Sequence, residues 1–109
     1  MELSHRSADG YTIISINGRL NMVSAPQLRQ YVTDVVAQND PFVVIDFAET
    51  DFMDSSGLGA LVASLKVARQ AGGDLRIASV QPQVRMVLEL TSMDRILKPY
   101  ASPSEAYQR

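Results

Sequence analysis

Apolar and polar positions fall into three rhythms along the chain, and each rhythm predicts an element. Residues 2–6 read as a short polar strand, and Asp9-Gly10 as a hairpin turn. Residues 11–17 carry Ile13, Ile14 and Ile16 among strand formers with partial alternation, until Asn17-Gly18 breaks the pattern. Ser24-Ala25-Pro26-Gln27 has the form of a capping box with proline in the first turn. Ala25, Leu28, Val32, Val35 and Val36 then recur at helical spacing, and Asn39-Asp40-Pro41 ends the run. Residues 42–47 are nearly continuous in apolar side chains, which suits a strand covered on both faces. A polar loop over residues 48–54 leads to a second helix, residues 56–71, striped by Leu58, Leu61, Val62, Leu65 and Ala68. Arg69 falls on that stripe in the last turn, where its head reaches water, and Gly72-Gly73 is a stop.

The remaining third continues the alternation. A short strand at residues 75–78 precedes a helix opened by Pro82, with Val84, Val87, Leu88 and Thr91 on one face. Residues 96–100 predict an edge strand, because Pro99 cannot serve a central one. Ser102-Pro103-Ser104-Glu105 has the form of a second capping box opening a terminal turn of helix. The order ββαβαβαβα predicts an α/β layer fold, and 109 residues suit one domain over 1–109.

Composition removes several chemistries. Apolar residues at 46% argue for a packed core rather than disorder. The absence of cysteine excludes disulfides, thiol catalysis and thiolate metal sites. A net charge of −2 with scattered basic residues leaves nucleic acid no electrostatic footprint. No apolar run reaches signal-peptide or membrane-spanning length, so a cytoplasmic protein without direct membrane insertion is expected.

The candidate chemistry lies in Asp54-Ser55-Ser56-Gly57-Leu58-Gly59, two hydroxyls between an acidic loop and a helix start. The first-turn amides of a helix have no internal partner and carry the positive end of the macrodipole. Such a spot holds an anion, whether bound or covalently added to a serine. A plain N-cap is the structural alternative. A cap needs only one hydroxyl, however, and Gly57 and Gly59 each cost about 1 kcal/mol of helix propensity. That loss fits close approach by another molecule, or equally glycines packed tightly against a strand.

Enzymatic readings fail on the residues. The surroundings of Ser55 do not form the Gly-x-Ser-x-Gly elbow, and the only histidine, His5, lies in the N-terminal strand. Asp46, Glu49, Asp51 and Asp54 could imitate a magnesium site, but the first core strand ends in Ile16-Asn17-Gly18-Arg19 rather than an acidic pair. Gly57-x-Gly59 lacks the third glycine of a dinucleotide loop, and no Gly-Lys-Ser/Thr cradle follows. No enzyme and no cofactor of its own is expected.

Taken together, Gly18-Arg19-Leu20-Asn21, Ser24-Ala25, Leu28, Val43-Val44-Ile45-Asp46 and residues 52–59 resemble the STAS domain family, specifically bacterial anti-sigma factor antagonists. Gly72-Gly73 and the terminal Ser-Pro-Ser-Glu-Ala also fit, so the resemblance spans nearly the whole chain. It implies a mixed sheet of four to five strands flanked by about four helices. It further implies partner switching: the bare protein binds an anti-sigma factor serine kinase, which brings the ATP, and so frees a sigma factor. By resemblance the kinase phosphorylates Ser55 and a metal-dependent serine phosphatase reverses this. Asn21, Met22, Met53, Asp54, Ser56, Gly57, Leu58 and Gly59 form the implied surroundings and partner contacts, with Val23 a further apolar candidate. The family commonly carries aspartate where this chain has Asn21, in a loop expected near the serine. The alternative within the fold is a non-phosphorylated STAS subunit of a lipid-transporting ABC complex or of a stress-signalling scaffold.

Overall fold

The computed structural model describes residues 1–107. Its elements in chain order are β1 (Glu2–Ala8), β2 (Tyr11–Leu20), α1 (Ala25–Gln38), β3 (Phe42–Met53), α2 (Ser55–Gln70), β4 (Asp74–Ala78), α3 (Pro82–Leu90), a 3-10 turn (Met93–Arg95), β5 (Pro99–Tyr100) and α4 (Pro103–Ala106). The strands lie side by side in the order β1-β2-β3-β4-β5. β1 is antiparallel to β2 and every other neighbouring pair is parallel. The predicted mixed α/β fold and its element order therefore hold. The hairpin predicted at Asp9-Gly10 joins Ala8 to Tyr11, with Gly10 at φ 84°.

Side-chain alternation along β3 explains why its first half is apolar throughout. Val43, Ile45 and Phe47 face a core built with Leu28 and Val32 of α1, Leu61 and Leu65 of α2, and Val84 and Leu88 of α3. Val44 faces the opposite side, where Ala106 and Tyr107 pack on it together with Ile13 and Ala78. Three helices thus cover one face and the short α4 covers one end of the other. The Tyr107 hydroxyl lies 2.8 Å from the carbonyl oxygen of Val43 and 3.0 Å from that of Asp74, pinning the chain end across β3 and β4. Burial, and then the Asp74 carboxylate, push that phenol well above its ordinary pKa.

Four local expectations are corrected. β2 does not end at Asn17-Gly18 but runs on to Leu20, and the polar residues 48–53 are strand rather than loop. The register explains both: Ser15 pairs with Asp46, Asn17 with Glu49 and Arg19 with Phe52, so β3 twice uses three residues for two of β2. These bulges scramble the in–out alternation, and the Thr50 hydroxyl donates to the Ile16 carbonyl oxygen at the irregularity (2.8 Å). Neither capping box forms. Ser24 already has helical φ and ψ and turns its hydroxyl into the preceding loop, and the Ser102 hydroxyl meets that of Ser104 at 3.2 Å. The edge strand is only Pro99–Tyr100, while Leu97 is buried in the core. The glycine stop of α2 does form, with Gly73 N–H donating to the Ala68 carbonyl (2.9 Å) and Gly72 N–H to that of Arg69 (3.0 Å).

Candidate functional site

Extended backbone becomes helix within one residue, Asp54, whose side chain is the N-cap of α2. One carboxylate oxygen accepts from Gly57 N–H (2.9 Å) and the other from Met22 N–H (3.2 Å). Asp54 N–H in turn donates to the Leu20 carbonyl (3.2 Å). Asp54 therefore holds the loop after β2 against the start of α2. That loop is shaped from within: Asn21 Oδ1 accepts from Val23 N–H (3.0 Å) and Ser24 N–H (3.2 Å). The Ser24 hydroxyl accepts from Asn21 N–H (2.9 Å) and donates to the Arg19 carbonyl (2.8 Å). The loop leaves the Met22 and Val23 side chains outside, 72% and 77% exposed.

Ser55 occupies the first position of α2 and is exposed; Ser56 is half-buried. Among the described residues, neither serine N–H has an acceptor and the Ser55 hydroxyl has no partner. The site thus combines an accessible nucleophilic oxygen, two free amide donors and one fixed carboxylate. Arg19 stacks on Phe52 with its guanidinium carbon 4.4 Å from the ring centroid, at the strand ends that lead into this site.

The remaining candidates divide by burial. Met53 is fully buried and Leu58 is 8% exposed, so both belong to the core beneath the site, and neither offers its side chain to a partner. Asn21 is half-buried and works within its own turn. The two glycines have different causes. A Cβ on Gly57 would lie 2.8 Å from Leu20 Cγ, 3.0 Å from Met53 Cγ and closer still to the Leu20 carbonyl oxygen, whereas one on Gly59 would meet nothing within 4 Å. Gly57 is tight packing against a strand; Gly59 faces open space.

Gln83 is the residue that sequence reasoning missed. Its amide oxygen accepts from Met53 N–H (2.8 Å) and its amide nitrogen donates to the Met53 carbonyl (3.0 Å). β4 pairs with β3 only as far as Asp46, so a side chain completes the ladder just before the site. A polar residue beside Pro82 gives no sign of this in sequence. Gln83→Ala leaves both backbone groups without a partner and is expected to cost about 1–3 kcal/mol, read by urea unfolding.

Among the described residues no group of three or more His, Asp or Glu is placed to hold a metal ion. Asp46 instead accepts from Ala48 N–H (3.0 Å). His5 lies on β1 with its Nδ1 2.6 Å from the Tyr31 hydroxyl, turned to α1 rather than to Ser55. Among the described residues no helix is long and apolar enough to cross a membrane.

The family model described as "STAS domain" matches residues 2–106. The chain belongs to the STAS domain family. This STAS chain is 26% identical over 101 residues to the anti-sigma F factor antagonist of Paenibacillus polymyxa, covering 92% of this chain and 85% of that one. The crystal structure of an anti-sigma factor antagonist from Mycobacterium paratuberculosis superposes with a TM-score of 0.84 at 30% identity, covering 96% and 89% of the two chains. The Bacillus cell fate determinant SpoIIAA in its phosphorylated form superposes with a TM-score of 0.71 over 96% of each chain. At 20% identity that likeness shows the fold alone.

Proposed function

We propose that this STAS protein is an anti-sigma factor antagonist that binds an anti-sigma factor serine kinase while Ser55 is unmodified and releases it once Ser55 is phosphorylated. The observation that carries the reading is the exposed Ser55 hydroxyl at the first position of α2, beside the outward Met22 and Val23. The names of the relatives, anti-sigma factor antagonists, support the class of partner. In this reading the partner brings the ATP and the general base, and His5 stays on Tyr31 of α1. Ser55 Oγ attacks the γ-phosphorus, its proton passes to the partner's base, and ADP leaves. A metal-dependent serine phosphatase restores the hydroxyl by hydrolysis.

Phosphate adds about −1.5 to −2 charge beside the Asp54 carboxylate. Asp54 cannot swing away without losing its bonds to Gly57 and Met22. The free helix amides offset part of the repulsion, by about 0.3–1 kcal/mol when exposed. At a docked interface a buried, unpaired charge costs several kcal/mol. The switch therefore acts on binding and leaves the fold in place.

Ser55→Ala is expected to bind the kinase and to resist phosphorylation. Incubation with kinase and ATP, followed by intact-mass and peptide mass spectrometry, checks this. A phosphate found on Ser56 in the unaltered chain would move the switch by one residue.

A further inference from the structure

At the far end of α2 the charge pattern reverses. A cleft of about 260 Å³ between that end, β4 and the stretch before β5 is lined by Arg69, Asp74, Arg76, Arg95, Lys98 and Tyr100. Four of the ten Lys and Arg of a chain with net charge −2 thus meet one carboxylate in one concave place. From Ser55 to Arg69 the helix rises about 21 Å at 1.5 Å per residue, so the cleft is remote from the serine.

Two of the cations are held in position by hydrogen bonds. Asp74 bridges the Nε atoms of Arg69 and Arg76, each at 3.3 Å. Arg76 also lies over the Tyr107 ring, 4.4 Å from its centroid, and donates one Nη to the Ala106 carbonyl. Because Asp74 takes only the Nε donor of Arg69, both its terminal nitrogens stay free for another acceptor. Lys98 sits 5.6 Å over the Tyr100 ring. Arg95 and Lys98 are exposed and have no carboxylate partner among the described residues. Four like charges around one carboxylate repel each other, and of the four only Arg69 and Arg76 are ion-paired with it. A multivalent anion turns that repulsion into attraction, and fixed guanidinium forks suit phosphate geometry.

We infer that this cleft binds a small phosphate-bearing anion. Its volume lies just below the range of drug-sized ligand sites, which favours a compact polyanion over an extended chain. The inference stands apart from the Ser55 reading, and either can fail alone.

Titration of the full ¹⁵N-labelled chain with sodium pyrophosphate, against sodium chloride at matched ionic strength, tests it. Saturable shifts are expected at the Arg69 and Arg76 Nε–H signals and the amides of residues 95–98, with a Kd below about 1 mM. Arg95→Gln with Lys98→Gln, both on the surface, should weaken binding at least roughly tenfold with an unchanged melting curve. Either single variant should give an intermediate loss. Shifts spread evenly over all basic residues, a Kd above about 10 mM, or indifference to the double variant would overturn the assignment. Tighter binding of a hexaglutamate peptide than of pyrophosphate would overturn it too, by making the occupant a protein segment.

Discussion

Ser55→Asp is expected to weaken binding of the anti-sigma kinase on the order of a hundredfold, about 2.8 kcal/mol, while the Tm stays within about 4 °C of the unaltered chain. The two halves of that expectation have separate causes. In the free protein the new carboxylate stands at the first position of α2, where free amides favour it by about 0.3–1 kcal/mol. The Asp54 carboxylate next to it opposes by a similar amount in water, so stability hardly changes. In the complex, water leaves the surface around Met22 and Val23, and an unpaired charge there costs several kcal/mol. Isothermal titration calorimetry gives the affinity and a thermal melt gives the Tm. Wild-type affinity for the cognate kinase would sink the switch; a large fall in Tm with lost binding would make it a folding effect.

The loop around Asn21 affects the same electrostatics. Asn21 Oδ1 accepts two amides of its own turn, which aspartate could do as well. Its neutral amide places no second charge on the loop that Asp54 holds through Met22 N–H. With Ser55 phosphorylated as proposed, the phosphate would face the fixed carboxylate of Asp54 and a neutral Asn21.

The legible parts of the fold were those written in periodicity. The buried positions of α1, namely Ala25, Leu28, Val32, Val35 and Val36, are the residues its spacing predicts. The apolar run of β3 is covered on both faces, as such a run requires. What stayed hidden depends on register and on side chains bonding to distant backbone. Residues 48–53 look like a loop because two bulges break alternation, and no local pattern encodes the pairing with β2 that creates them. Ser24 has the spacing of a helix cap, yet its hydroxyl is drawn away by the Arg19 carbonyl and the Asn21 amide. At the site, Ser55 opens α2, Asp54 caps it and Met22 is exposed on the adjoining loop. Met53 and Leu58 do not reach the surface, because the strand end and helix stripe they belong to turn them inward.

The glycine pair turns this difference between packing and access into a prediction about stability. Gly57→Ala sets a methyl against the Leu20 carbonyl oxygen, with Leu20 Cγ 2.8 Å and Met53 Cγ 3.0 Å away. The oxygen belongs to strand β2 and also accepts from Asp54 N–H (3.2 Å), so it cannot move aside alone. Overpacking of this kind costs about 1–3 kcal/mol or more, against a helix-propensity gain of about 1 kcal/mol. Because the clash is with backbone, the cost lies at the top of that range or above it, and the expected net loss is about 2 kcal/mol, a Tm lower by roughly 8–16 °C. Since α2 must back away from β2, Ser55 shifts with it and kinase affinity falls as well. Gly59→Ala meets no atom within 4 Å and gains propensity, so its Tm should rise by about 4–8 °C. One turn from Ser55 on the same helix, the added methyl should nevertheless weaken kinase binding by roughly tenfold, about 1.4 kcal/mol. A thermal melt and a calorimetric titration on each variant separate the two effects. Gly59→Ala that melts higher and binds as well as the unaltered chain would remove Gly59 from the interface. Gly57→Ala with an unchanged Tm would mean that the close seat of α2 on β2 is not what places Ser55.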